Sequence, residues 1–335
     1  MEHGEKKGTG LTIFDEQISR KPDRYPWTAK YMQAMWDGHW SDSKFTFSSD
    51  IQDFKVKATG KQKQMIVRAL SAIGQIEISV KTFWAKLGDN LPAPSIRDLG
   101  YVMANIEVIH NNAYERLLEV LGLEDVFEEN LKLDFISGRV SYLKKYTHRY
   151  YKDSKKQFVY ALILFTLFVE NVSLFSQFYV INWFGRKGMF KDTVNQTAYT
   201  LKEEDIHAQV GIELVNEIKR ELPELFDKEL EDRVIHEAQE AFNAESKIID
   251  WMVEDFSDDV LDKDILKEFV KNRINESLEQ IGYRKIFDID PDKLEKTMWF
   301  YINLRGNGKS DFFSHDPVDY AKANQSFEIE DLFDD

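Results

Sequence analysis

The stretch Ala104-Asn105-Ile106-Glu107-Val108-Ile109-His110-Asn111-Asn112-Ala113-Tyr114 decides how this chain is read, because its Glu-x-x-His pattern returns as Glu204-Asp205-Ile206-His207. Residues three apart in an α-helix share a face, so each pair presents a carboxylate beside an imidazole. One such pair is common by chance. Two pairs, each deep in a long helical pattern, are much rarer.

The helix holding the first pair is expected to start at Ser95, an N-cap with Asp98 in the first turn, and to close at Gly122. The second pair falls in a long helix over about residues 193–221, with Pro223 just beyond. Upstream, a helix is expected from near Gly60 to about Leu87, with Ile66, Leu70, Ile73 and Ile76 on its apolar face. Glu77 lies among these, and Lys81 follows one turn on. Residues 158–184 form a very apolar run with Glu170 near its centre. The aromatic-rich residues 25–40 read as a short outer helix, and 45–54 as extended or irregular. Residues 125–156 read as two lesser helices, and 224–300 as covering helices.

With 335 residues, 43% hydrophobic, the chain can bury a large core as one extended domain. Only 7 Pro and 16 Gly argue against a many-turned β protein. A formal charge of −15 speaks against nucleic-acid binding by a basic surface. The absence of Cys excludes disulfides, iron–sulfur clusters and thiol nucleophiles, so any cysteine chemistry must come from a partner. A carboxylate at bilayer depth is costly, so the run around Glu170 reads as a buried core helix, not a membrane span. The N-terminus lacks a signal-peptide core, which makes a cytoplasmic location the expectation. The expected division is a flexible arm over 1–25, a helical domain over 26–310 and a tail over 311–335.

Four long helices thus bring acids together: Glu77, Glu107 with His110, Glu170, and Glu204 with His207. Four carboxylates in a dry core repel one another and take up protons unless cations neutralise them. Two divalent metals supply the matching charge. Oxygen-rich ligation with two imidazoles suits iron or manganese. This is the ligand arrangement of ferritin-like dimetal carboxylate proteins, so the expected fold is an all-α, ferritin-like helical bundle enclosing a dimetal carboxylate site.

Over about residues 25–320 the chain resembles the small, radical-generating subunit of class I ribonucleotide reductase, with all six ligand positions in order. Tyr114 falls where that family keeps its radical tyrosine. Trp40, ten residues before Asp50, matches its radical-transfer tryptophan. The tail Ser326-Phe327-Glu328-Ile329-Glu330-Asp331-Leu332-Phe333-Asp334-Asp335 resembles the segment that docks onto the large catalytic subunit, and Tyr320 is the tail tyrosine implied as relay. The resemblance implies a homodimer that stores a one-electron oxidant and passes it through Trp40 and Tyr320 to a cysteine of the large subunit.

Two positions depart from the common pattern. Glu77 and Glu203 stand where most or many members have Asp. With Lys81 and a retained Tyr114, Glu77 makes the chain look most like subclass Id, whose dimanganese centre itself holds the oxidant. Fe/Fe and Mn/Fe centres are the alternatives. A cation beside the Tyr114 phenol would make electron removal from it harder, leaving the tyrosine as a hydrogen-bonding neighbour. The rival functions are a dimetal oxidase acting on a lipid or other small molecule, which needs no relay, and a metal-storage protein, which would assemble into cages.

Overall fold

A computed structural model of the protein describes residues 10–143 and 149–305, without the side chains of residues 75, 77–80, 140–143 and 303–305. Among the described residues there is no β-strand, only an isolated bridge between Asp258 and Leu261. The fold is an all-α bundle.

Residues 10–25, expected as an arm, include Ile13 and Tyr25, both buried; Glu221 accepts from the Ile13 N–H at 2.6 Å and from the Tyr25 hydroxyl at 3.1 Å. Helix α1 (Thr28–Asp37) follows, then a short α2 (Ser48–Gln52) where extended or irregular chain is expected. The long α3 (Gly60–Ala85) opens with a capping box between Thr59 and Gln62 and is followed by one turn, α4 (Leu87–Asn90). Helix α5 (Pro94–Leu121) starts one residue before the expected cap. Its Ser95 hydroxyl donates to Asp23 at 2.8 Å, and Pro94 supplies the preset φ of a first helical position. The helix ends as expected, with Gly122 in the left-handed region (φ 67°) and Leu123 N–H returning to Leu118 O.

Two lesser helices come next, α6 (Glu124–Asn130) and α7 (Asp134–Leu143). The apolar run is not one helix: α8 (Ser154–Leu164) passes into a π-helical turn (Phe165–Glu170), the chain turns at 171–174, and α9 (Phe175–Arg186) resumes. By length and composition Ser154–Arg186 could cross a membrane, but its most apolar window is enclosed by the other helices. Helix α10 (Lys191–Glu221) packs against the π turn so closely that a Cβ at Gly211 would collide with the Thr166 side chain. The covering helices are α11 (Lys228–Val253), α12 (Lys263–Gln280), α13 (Pro291–Glu295) and α14 (Met298–Arg305).

The start of α10 is fixed from far away in sequence, which the local pattern of α2 could not reveal. Asp50 accepts from the Thr193 N–H and hydroxyl, each at 2.7 Å, and from the Asp192 N–H at 3.1 Å. Asp53 takes the Phe190 N–H, and Asp192 in return takes the Phe47 N–H, both at 2.8 Å. Phe47 and Phe190 are the residues forced to positive φ at this junction (58° and 55°), so aspartates hold the backbone where it is strained. The register of α10, and with it Glu203, Glu204 and His207, depends on these bonds. Asp50→Ala is expected to destabilise the protein by about 2 kcal/mol in denaturant unfolding, the scale of a lost buried cap. A change below about 0.5 kcal/mol would contradict this account of α10.

Candidate metal centre

Each Glu-x-x-His pair lies inside a long helix with its apolar face inward, so the pairs face each other across the bundle. Glu107 and His110 on α5, Glu170 at the end of the π turn, and Glu204 and His207 on α10 are all buried. Glu107, Glu170, Glu204 and His207 each offer an atom within 4.8 Å of the others. His207 Nδ1 lies 2.8 Å from Glu107 and 3.8 Å from both Glu170 and Glu204. His110 Nδ1 joins this group, 3.0 Å from Glu204 and 3.5 Å from Glu107. The structure therefore brings together five of the six expected ligands. Glu77 lies in α3, but its side chain is outside the described residues.

The donor set fits a pair of hard or borderline cations. Both Glu107 oxygens, Glu204 Oε1 and both His207 nitrogens are fully buried and have no hydrogen-bond partner outside the cluster. Buried polar atoms left in this state cost free energy unless something binds them, and here they converge on shared space. Carboxylate oxygens and imidazole nitrogens are the ligands that manganese and iron take.

Charge balance shows the same need. Burial, reinforced by the negative charges of Glu204 and Glu107, holds the Glu170 carboxyl protonated well above the usual carboxylate range. Burial would also raise Glu204, but hydrogen bonding from His110 and His207 outweighs it and pulls Glu204 below that range. His207 shows the reverse competition: burial opposes its charge, yet Glu107 overrides it and the imidazolium persists well above its ordinary value. Protons thus stand in for cations at the cluster.

A hydrogen-bonded chain leaves the cluster on one side. His110 Nε2 and Trp40 Nε1 both lie 2.8 Å from Glu203 Oε2. The indole N–H can only donate, so Glu203 accepts; it accepts from His110 Nε2 as well, while Nδ1 faces Glu204 in the cluster, where a bound cation would take the place of its proton. The longer Glu203, in place of Asp, still spans imidazole and indole. Trp40 is buried between Phe45 and Tyr199, whose ring centroids lie 6.1 and 5.7 Å away.

Tyr114 is buried, and its hydroxyl donates to Thr200 Oγ1 at 3.4 Å. Lys81 is half-buried on α3, and the Glu77 carboxylate expected to meet it lies outside the described side chains. Tyr320 and the acidic tail fall outside the described residues altogether. Sequence reading missed Trp84, whose buried indole N–H donates to Glu170 Oε1 at 2.6 Å. The signal was present: Trp84 lies two turns after Glu77 on the same helix.

The chain matches the family model described as ribonucleotide reductase, small chain, over residues 17–294. It is 21% identical over 328 residues to the ribonucleoside-diphosphate reductase subunit beta of Chlamydia pneumoniae, covering 90% of this chain and 89% of that one. Among solved structures, the dimanganese(II)-NrdF of Streptococcus sanguinis superposes with a TM-score of 0.72 at 13% identity, covering 85% of this chain and 99% of the other. An R2-like ligand-binding oxidase superposes with a TM-score of 0.66 at 19% identity, covering 80% and 98%. Both structural likenesses bear on the fold alone.

The proton positions generate a test on metal-free protein. Glu170 and His207 have folded-state pKa values raised above their ordinary 4.5 and 6.5, so each adds stability that is present below the ordinary value and lost as pH rises through the raised one. Glu204 acts oppositely, but its loss comes only at more acid pH. The thermal midpoint of metal-free protein should therefore fall as pH rises from about 5 to 8, while the stabilisation by manganese(II) grows over the same range. A metal-free midpoint that climbs steadily to pH 8 would contradict the assignment.

Proposed function

The chain belongs to the ribonucleotide reductase small-chain family, and from that premise we propose that its buried cluster holds two metals whose oxidising equivalent leaves through Trp40. As the small subunit of ribonucleoside-diphosphate reductase, it acts together with a large catalytic subunit in making deoxyribonucleotides. The proposed ligands are Glu77, Glu107, His110, Glu170, Glu204 and His207. When bound, the metal pair supplies a stored one-electron oxidant.

The observation that carries this reading is the chain from His110 through Glu203 to Trp40. Neither an oxidase working on a ligand inside the bundle nor a metal store has use for an indole wired to a buried imidazole. Trp40 is the aromatic group placed to give up an electron. Glu203, already accepting its N–H, can take the indole proton when that happens and return it afterwards. The next relay is assigned to Tyr320, and docking to residues 326–335, whose Phe327, Ile329, Leu332 and Phe333 alternate with acids as in a segment that orders on binding. The remaining assignment is a cytoplasmic homodimer with 311–335 as the tail; residues 10–25, bonded to Glu221, belong with the bundle.

For the metals we favour manganese in both positions, as in subclass Id, over Fe/Fe or Mn/Fe. Support comes from Glu77 as first ligand, Lys81 one turn on, and a retained Tyr114 that is buried and bonded to Thr200. The Lys81 ammonium is assigned the part of disfavouring loss of an electron from the phenol. Electron paramagnetic resonance of activated protein should then show a manganese multiline signal without a narrow organic radical. A narrow signal that disappears in Tyr114→Phe would place the oxidant on the tyrosine instead.

With the large subunit present, Trp40→Phe should abolish nucleotide reduction while leaving two metals per chain by elemental analysis. Turnover near the wild-type rate would remove Trp40 from the route and revive the oxidase reading. Deleting residues 326–335 should likewise abolish turnover with the metal content intact.

A further inference from the structure

Glu170 ends a π-helical turn, and residues 171–174 lie in turns before α9 resumes at Phe175. A break of this kind inside a dry core frees backbone carbonyls that must find donors. The Ser173 N–H and hydroxyl return to Phe168 O, at 3.0 and 2.6 Å, but the carbonyls of Asn171 and Ser173 are held from outside the segment. Two buried arginines hold them.

Arg273 of α12 donates from Nε to the Asn171 carbonyl at 2.7 Å and from Nη2 to Asn171 Oδ1 at 2.6 Å. Its guanidinium carbon lies 3.3 Å from the ring centroid of Phe175, the first residue of α9. Asn171 Nδ2 donates onward to Ser277 at 2.7 Å. Arg139 of α7 donates to the Ser173 carbonyl and, at 3.2 Å, to Gln177 Oε1. The same guanidinium reaches the Ala72 carbonyl of α3 at 3.0 Å and pairs with buried Glu245 at 2.9 and 3.1 Å. Each arginine is 1% exposed.

Burying two guanidinium groups is expensive, and an unbroken α-helix would need neither. Arg273 bonds Asn171, and Arg139 joins Ser173 to Gln177, to Ala72 of α3 and to Glu245 of α11; among the described residues neither touches the carboxylate cluster. We propose that Arg139 and Arg273 are positioning residues that fix the 171–174 break, and through it the direction from which the Glu170 carboxylate enters the metal cluster. The proposal rests on Glu170 being a metal ligand, as assigned above. Trp84 fixes one carboxylate oxygen of Glu170, and the arginines fix the backbone that carries it.

The test uses the full chain and manganese(II) as the probe, with Arg139→Lys, Arg273→Lys and Asn171→Ala. The lysines keep the buried charge opposite Glu245 and Asn171 but lose the forked geometry. Asn171→Ala removes one acceptor and leaves both arginines. Loss of a group that orients a ligand weakens metal binding by about tenfold or more. Each variant is expected to bind manganese(II) about tenfold more weakly, to show an altered spectrum of the bound ion, and to gain less thermal stability on metal addition. Wild-type affinity and spectrum, with only the metal-free midpoint lowered, would reduce the arginines to structural supports and overturn the proposal. If Arg273→Lys does not fold, Asn171→Ala decides by the same two readouts; if Arg139→Lys does not fold, Gln177→Ala, which removes an acceptor of Arg139, decides in the same way. Glu170→Gln separates the two levels of argument. If it keeps wild-type manganese affinity, the ligand assignment falls and the proposal with it. If it loses the metal while the other variants do not, the assignment stands and the positioning role is overturned.

Discussion

Buried glutamates and imidazoles packed against one another are the constraint on which this structure depends. Glu107, Glu170 and Glu204 lie in a space so tight that protons or cations must balance them. A bundle of long helices can impose this, because each carboxylate is anchored by turns of apolar packing on either side. Helix α10 is held hardest, carrying three of the polar groups and having its start clamped by Asp50 and Asp53. The metal site is therefore a property of the bundle's register.

On the proposed function, the same groups connect storage to delivery. His110 turns one nitrogen to the cluster and the other to Glu203, and Glu203 accepts from Trp40 as well. Any change in charge at the cluster is felt at the indole through two hydrogen bonds. The fold alone would also suit the ligand-binding oxidases it superposes on. What separates the readings is side-chain chemistry on one edge of the cluster, together with family membership.

Much of this was legible in the sequence because it repeats at helical spacing. The two Glu-x-x-His pairs, the acid inside the most apolar run and the tryptophan ten residues before Asp50 are local patterns, and the structure places Glu107, Glu170, Glu204 and His207 together, with His110 and Trp40 beside them. What was not legible depends on partners far along the chain. Residues 45–54 read as extended or irregular, and α2 stays hidden, because nothing within them shows that Asp50 will bond to Thr193. The run around Glu170 reads as one helix because hydrophobicity has no mark for a π turn; the donors that make the break tolerable, Arg139 and Arg273, come from other helices. Trp84 was passed over because a buried tryptophan on an apolar face is usually packing. Its indole N–H, needing a partner in a dry core, was the clue.

The measurement that tests the central claim most directly is anomalous X-ray scattering at the manganese edge from crystals of the manganese-loaded protein. Two peaks per chain are predicted, side by side within the Glu107, His110, Glu170, Glu204 and His207 cluster and each within coordination distance of some of these side chains. A single peak, or density placed away from this cluster, would contradict it.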